Sequence, residues 1–294
     1  MANVRQDKKL EARPELPLKP SVEALPDIAW LPVADLLVDY GYQHRPYASA
    51  IEALRKEYQE AHSGFILVNE RQDGTYWIID GQTRQAVHQL LELRWIRAEI
   101  LHGLTQAEEA DVYLLKCINA KRMPVDFFLA EYMARRPMAV LIHDLLENRG
   151  IEIESYASTQ RKRGVDTKPV VTCVTYLKRM IHRDPTGDTL AMTLDLIRDT
   201  WDYSGNTLTG VFLDAMHKLL VAHADELDRK AFVTKLGGSI PEDLREKALL
   251  LRLGTKPLLA VGTALQHVII DLYNSGRPQA RRITLGSPQR SATL

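Results

Sequence analysis

The chain is 294 residues long, 45% hydrophobic, and balances 38 Lys and Arg against 38 Asp and Glu, so it can bury two cores while no whole-molecule field draws it to nucleic acid. Cys117 and Cys173 lie far apart with no CxxC or Cys/His cluster, which excludes a disulfide framework and a recognisable zinc site. No apolar run is long enough to span a bilayer and the first twenty residues are polar where a signal peptide is apolar, so a cytoplasmic protein with no membrane partner is expected.

Residues 1–26 combine charge with repeated Pro and read as a disordered tail. From Ile28 a short strand and turn lead to the loop Gln43-His44-Arg45-Pro46, whose proline favours an extended backbone before it. Ile51, Leu54 and Tyr58 have the spacing of a one-faced helix over 48–61. Phe65 to Asn69 reads as a strand, Asp73-Gly74 as a hairpin turn and Tyr76 to Ile79 as the returning strand, which delivers the chain to Asp80.

There the pattern changes to a helix, Asp80-Gly81-Gln82-Thr83-Arg84-Gln85-Ala86, with Ala86, Leu90 and Leu91 expected on the core side. Glycine between strand and helix lets a ligand approach the backbone, and the free N–H groups of a helix start favour a phosphate or carboxylate. Arg84 in the first turns can clamp an oxyanion, although a turn followed by a solvated arginine explains the same residues. A strand over 97–101 follows, then a helix opened by Thr105 and Glu108 as a capping box and closed by Asn119-Ala120-Lys121-Arg122, with a further helix from Val125.

The ordered set Gln43-His44-Arg45, Asp80 to Ala86 and Asn119 to Arg122 resembles the three boxes of the ParB N-terminal (ParB/sulfiredoxin-like) domain over about 27–135. The resemblance implies an α+β fold: a ParB-like domain with a small mixed sheet, then a mainly α-helical domain over 136–275. It further implies a pocket for CTP or ATP with Mg²⁺ formed by Gln43, Arg45, Gly81, Gln82, Arg84, Asn119, Lys121 and Arg122, and a protein of bacterial or phage type that uses the nucleotide to change its hold on DNA or its dimerisation, as in partition.

Departures from the family pattern matter. Gln82 and Thr83 stand where sulfiredoxin has its cysteine, which removes sulfinic acid reduction, and Thr83 replaces a histidine able to take a proton near neutral pH. Lys121 stands in place of the usual glutamine. An alternative reading is a nuclease-like or nucleotide-hydrolysing enzyme with Asp80, Arg84 and Glu108 as catalytic residues and the Glu108–Glu109 pair on a metal, against which Glu108 suits a cap and Glu109 a solvent face. A third is a non-enzymatic adaptor. Trp30, Trp77 and Trp95 adjoin apolar strand residues and are expected in the core, as is Cys117. His88, four residues past Arg84, faces either the pocket or solvent.

Beyond Arg135 helices are expected at 138–148, 170–182, 188–203, 206–224, 228–236, 241–253 and 256–273, with a strand-like Ile151 to Glu154. Arg161, Lys162, Arg163, Lys168 and Lys178, around a basic turn before the 170–182 helix, are the expected DNA contacts in a helix-turn-helix-like arrangement; the competing reading is a solvated basic loop. The faces carrying Leu213, Met216, Leu219 and Leu220, and Val261, Leu265, Val268 and Ile269, suit a bundle or a dimer interface. Residues 276–294, with Arg277, Arg281, Arg282 and Arg290, read as a basic flexible tail.

Overall fold

The computed structural model describes residues 26–59, 63–117, 124–154 and 168–284. Strands β1 (Asp27–Pro32), β2 (Leu36–Val38), β3 (Ile66–Glu70), β4 (Tyr76–Asp80) and β5 (Trp95–His102) form one sheet in the order β1-β5-β3-β4-β2. The sheet is mixed: β1–β5 and β3–β4 run antiparallel, β3–β5 and β2–β4 parallel. Helix α1 (Ala48–Lys56) precedes the hairpin, α2 (Gln82–Leu90) follows it, and α3 (Gln106–Lys116) and α4 (Pro124–Met133) follow β5. This is the α+β arrangement expected.

Both faces of the sheet are covered, and the central strand β3 shows why. Ile66 and Val68 join Leu31, Leu36, Ile78, Ile96 and Ala98 in one core, while Leu67 meets Tyr42, Ile79, Ala110, Tyr113, Cys117 and Ala130 of the opposite face. A strand buried on both sides needs an unbroken apolar run, which Ile66-Leu67-Val68 supplies.

The rest of the chain is helical: α5 (Pro137–Glu147), α6 (Val174–Arg183), α7 (Asp188–Trp201), α8 (Gly210–His223), α9 (Arg229–Leu236), α10 (Pro241–Leu253) and α11 (Val261–Asn274), with a small parallel pair β6 (Glu152–Ile153) and β7 (Val170–Val171) between α5 and α6. One core runs from Phe128 to Ile283 through these helices. Helix α4 belongs to both halves, since Phe128 enters this core and Ala130 the sheet's.

Several expectations are corrected. Trp30 and Trp95 are 50% and 53% exposed; two-residue alternation places them on the outer face of β1 and β5, opposite Leu31 and Ile96, with the Arg97 guanidinium 5.8 Å from the Trp30 ring. Trp77 is half-buried under Arg71, 3.8 Å above its ring. Leu90 and Leu91 are exposed, because α2 turns Gln85, Val87 and His88 inward and leaves Leu90 on its outer side and Leu91 just past its end. The helix expected from Val170 starts at Val174, since Val170 and Val171 pair with β6. Of the two readings of the face Leu213, Met216, Leu219 and Leu220, and of Leu265 and Ile269, the bundle is the one found, since all six are buried in the helical core. Of the expected flexible tail, Ile283 is buried and exchanges two hydrogen bonds with the Asn274 side chain, and Arg277 stacks on Tyr273; Arg290 lies outside the described residues.

Candidate functional site

The turn from β4 into α2 builds a polar cleft at the edge of the sheet. Gly81 has φ of 106°, and a Cβ there would come within 2.5 Å of Ile66 Cγ2, so both backbone and space demand glycine. No side chain caps α2, so the N–H groups of its first turn at Gln82, Thr83 and Arg84 lack helical partners, and these three residues line the cleft. Gln43, His44 and Pro46 from the loop after β2, Leu54 from α1 and Tyr113 from α3 complete the walls around some 520 Å³ of space open to solvent.

Polar side chains in the cleft are held by one another. Gln43 is buried and donates from Nε2 to the Ile78 carbonyl at 2.6 Å, while its own oxygen accepts from Gln82. The other amide atom, Gln82 Oε1, is buried with no hydrogen-bond partner among the described residues. Arg84 donates to the Phe65 carbonyl, and its second terminal nitrogen lies 3.4 Å from Asp80 Oδ2. His44 Nδ1 lies 2.6 Å from the Arg45 carbonyl, and its Nε2 lies 3.8 Å from Asp126 of α4.

Behind the cleft lies a second polar cluster that sequence reasoning misplaced. Glu109, expected on a solvent face or a metal, is fully buried. Its carboxylate accepts from Arg71 at 2.6 and 2.8 Å, from Asn69 at 2.7 Å and from the Tyr42 hydroxyl at 3.2 Å. Arg71 reaches on to Asp39 at 3.2 Å, and Asp39 also accepts from Gln106 and the Gly41 N–H, so the loop leading to Gln43 is tied to β3 and α3. Burial, with the adjacent Glu109 charge, pushes the Tyr42 hydroxyl well above its usual range, and the Glu109 hydrogen bonds hold the Arg71 guanidinium as a cation. Glu108 forms the expected capping box with Thr105, whose backbone N–H and hydroxyl hold the carboxyl below its usual range. Consecutive on α3, the two glutamates therefore point apart, and the expected metal pair is not assembled. His88 is buried between the Trp95 carbonyl and the Tyr58 hydroxyl rather than facing solvent or the cleft.

Of the other expected site residues, Asp80, Gly81, Gln82, Arg84 and Gln43 meet in the cleft. Arg45 instead is exposed, its guanidinium 5.3 Å over the Tyr40 ring. Asn119, Lys121 and Arg122 of the third box, and Arg161, Lys162 and Arg163 of the basic turn, lie outside the described residues. Lys168 is exposed beside Glu152, and Lys178 of α6 pairs with Glu131 of α4 above Phe128. Sequence reading missed His44, Leu54 and Tyr113 as cleft walls; only His44 carried a signal, its place inside the first box. No helix of the described residues is long and apolar enough to cross a membrane.

No protein-family model matches the chain, and no curated protein does. Among solved structures it is similar to a pNOB8-like ParB N-domain, at 14% identity and a TM-score of 0.35 over 83% of this chain and 98% of that one, and to a second pNOB8-like ParB N-domain at 13% and 0.38 over 82% and 94%. It is also similar to the truncated chromosome-partitioning protein ParB of Caulobacter crescentus complexed with CTP-gamma-S, at 10% identity and a TM-score of 0.27 over 83% of this chain and 99% of that one. These three structures are a ParB protein and two ParB N-domains, at loose superposition.

Proposed function

We propose that the chain is a ParB-like DNA-associated protein that binds a nucleoside triphosphate, CTP or ATP with Mg²⁺, at the start of α2 and couples the bound nucleotide to its hold on DNA or to self-association. The observation that carries this is the uncapped N-terminus of α2 opening into a cleft beside Arg84. Orphan N–H groups and the positive end of the helix favour a phosphate, and a guanidinium adds bidentate contacts. Arg84 is held on one side by Asp80, and a phosphate competes with that carboxylate for it. The Gln43–Gln82 amides offer donors and an acceptor to the rest of the ligand.

On the DNA side stands α6. It buries Val174, Leu177, Met180 and Ile181 and turns Arg179, His182 and Arg183 outward, a basic face suited to phosphates, while Lys178 is half-buried against α4. A single helix, α4, links the two: Asp126 lies beside His44 of the cleft loop, and Glu131 with Phe128 holds Lys178 of α6. A shift of the cleft loop on nucleotide binding therefore has a packed route to the basic helix. Against the hydrolytic reading stands Glu109, whose carboxylate is taken up by Arg71 and Asn69.

Calorimetric titration with CTP, ATP and GTP in Mg²⁺ tests this directly. One nucleotide is expected to bind, and Arg84→Ala to weaken it at least tenfold, about 1.4 kcal/mol. Absence of binding by all three sinks the nucleotide reading.

A further inference from the structure

Helix α5 packs Ala139, Ile142 and Leu146 into the helical core, and His143 stands at the border of that apolar stripe. Its ring lies flat against Tyr132 of α4, with centroids 3.8 Å apart and an interplanar angle of 13°, so packing sets its orientation. Held in this way, its Nδ1 is buried and has no hydrogen-bond partner among the described residues. A buried nitrogen left without a partner costs free energy that a ligand recovers.

Carboxylates face that nitrogen. Glu147 stands one turn further along the same side of α5, its Oε2 3.6 Å from Nδ1, and Asp144 Oδ1 lies at 3.8 Å. Both separations are too long for a hydrogen bond. They are close to what a shared ion requires, since two donors each about 2.1 Å from one metal lie roughly 3.4 Å apart at a tetrahedral angle. All three donor atoms fall within 4.8 Å of one another. His143 and Glu147 also line a cleft together with Glu152 and Ile153 of β6, which leaves room for water on the ion. Lys168, the one cation among the residues lining that cleft, is paired with Glu152 at 3.8 Å, and the nearby Arg149 guanidinium is turned to Asp195. Apart from His143 itself, Asp144 and Glu147 therefore have no cation beside them among the described residues.

We propose that His143, Asp144 and Glu147 bind one divalent transition-metal ion, zinc above all, with water completing its coordination. An imidazole beside two carboxylates suits zinc or cobalt, whereas magnesium prefers oxygen donors alone. The ion braces α5 where β6 packs against it, in the segment that leads to the basic helix α6. The site shares no residue with the cleft at α2, so it stands or falls separately from nucleotide binding.

Calorimetric titration of the full chain with ZnCl₂, in the absence of nucleotide, tests it. One Zn²⁺ is expected to bind per chain, Co²⁺ to compete for the same site, and a large excess of Mg²⁺ to leave Zn²⁺ in place. His143→Ala and Glu147→Gln are each expected to weaken Zn²⁺ binding about tenfold or more. Glu147 is 72% exposed, so its replacement should leave the circular dichroism spectrum unchanged and separates ligation from folding. Absence of Zn²⁺ binding, which a plain ion pair of His143 with its two carboxylates predicts, overturns the proposal. Undiminished Zn²⁺ affinity in either variant, or displacement of Zn²⁺ by Mg²⁺, overturns it equally.

Discussion

At Gly81 a single residue decides whether the cleft can exist. Its backbone is left-handed and its Cβ position is already filled by Ile66, so strand and helix can meet at that sharp angle only through glycine. Glu109 acts at the same scale from behind. A buried carboxylate is tolerated because hydrogen bonds from Tyr42, Asn69 and the Arg71 guanidinium compensate its desolvation. Removing the negative charge leaves Arg71 as a partly buried cation facing a neutral amide. Glu109→Gln is accordingly expected to destabilise the fold by about 3–5 kcal/mol, read as a shift in the urea midpoint without a change in slope. A midpoint at the wild-type value would show that the cluster is not holding the loop.

At the scale of elements, α6 carries the strongest amphipathic separation among the helices of the described residues, and its outward cations include Arg179, which meets only the neighbouring Tyr176 ring among those residues. Lys178, by contrast, is already committed to Glu131. Arg179→Glu is therefore expected to cost more DNA affinity than Lys178→Ala. In fluorescence-polarisation titrations with duplex DNA, binding by Arg179→Glu should weaken severalfold, and its dependence on log salt should become shallower by about 0.9 for each phosphate no longer neutralised. An unchanged isotherm would remove α6 from the DNA-binding face. The sheet's edge follows the same logic of faces: Trp30 and Trp95 are exposed because they occupy the outward positions of strands whose inward positions are already apolar.

Across the whole molecule the formal charge is zero, and one buried group supplies a specific dependence of stability on pH. His217 lies inside the helical core with both ring nitrogens lacking hydrogen-bond partners among the described residues. Burial first, then the nearby Arg183, depresses its pKa, opposed by Asp214 and Asp184, with Lys218 adding to the depression. The folded pKa thus lies below the unfolded value of about 6.5, and the unfolded chain takes up a proton more readily. Stability is fully present above about pH 6.5 and is lost as the pH falls below it. Thermal melts between pH 7.5 and 5 should show this decline, and His217→Leu should flatten it; an equal decline in the variant would place the proton elsewhere.

Much of this molecule was legible in the sequence by itself. The hairpin at Asp73-Gly74, the capping box at Thr105 and Glu108, the buried Cys117 and most helices of the second half depend on local propensity and periodicity, which a chain carries wherever it folds. The meeting of Gln43 with Gly81, Gln82 and Arg84 was anticipated from three ordered boxes, two of which fall among the described residues. Tertiary structure alone decided the rest. Whether Glu109 faced solvent or a buried arginine, whether α2 turned Leu90 or Val87 inward, and which apolar faces stayed uncovered all depended on partners distant in sequence. Local pattern shows that a face is apolar or charged; only packing determines what lies against it.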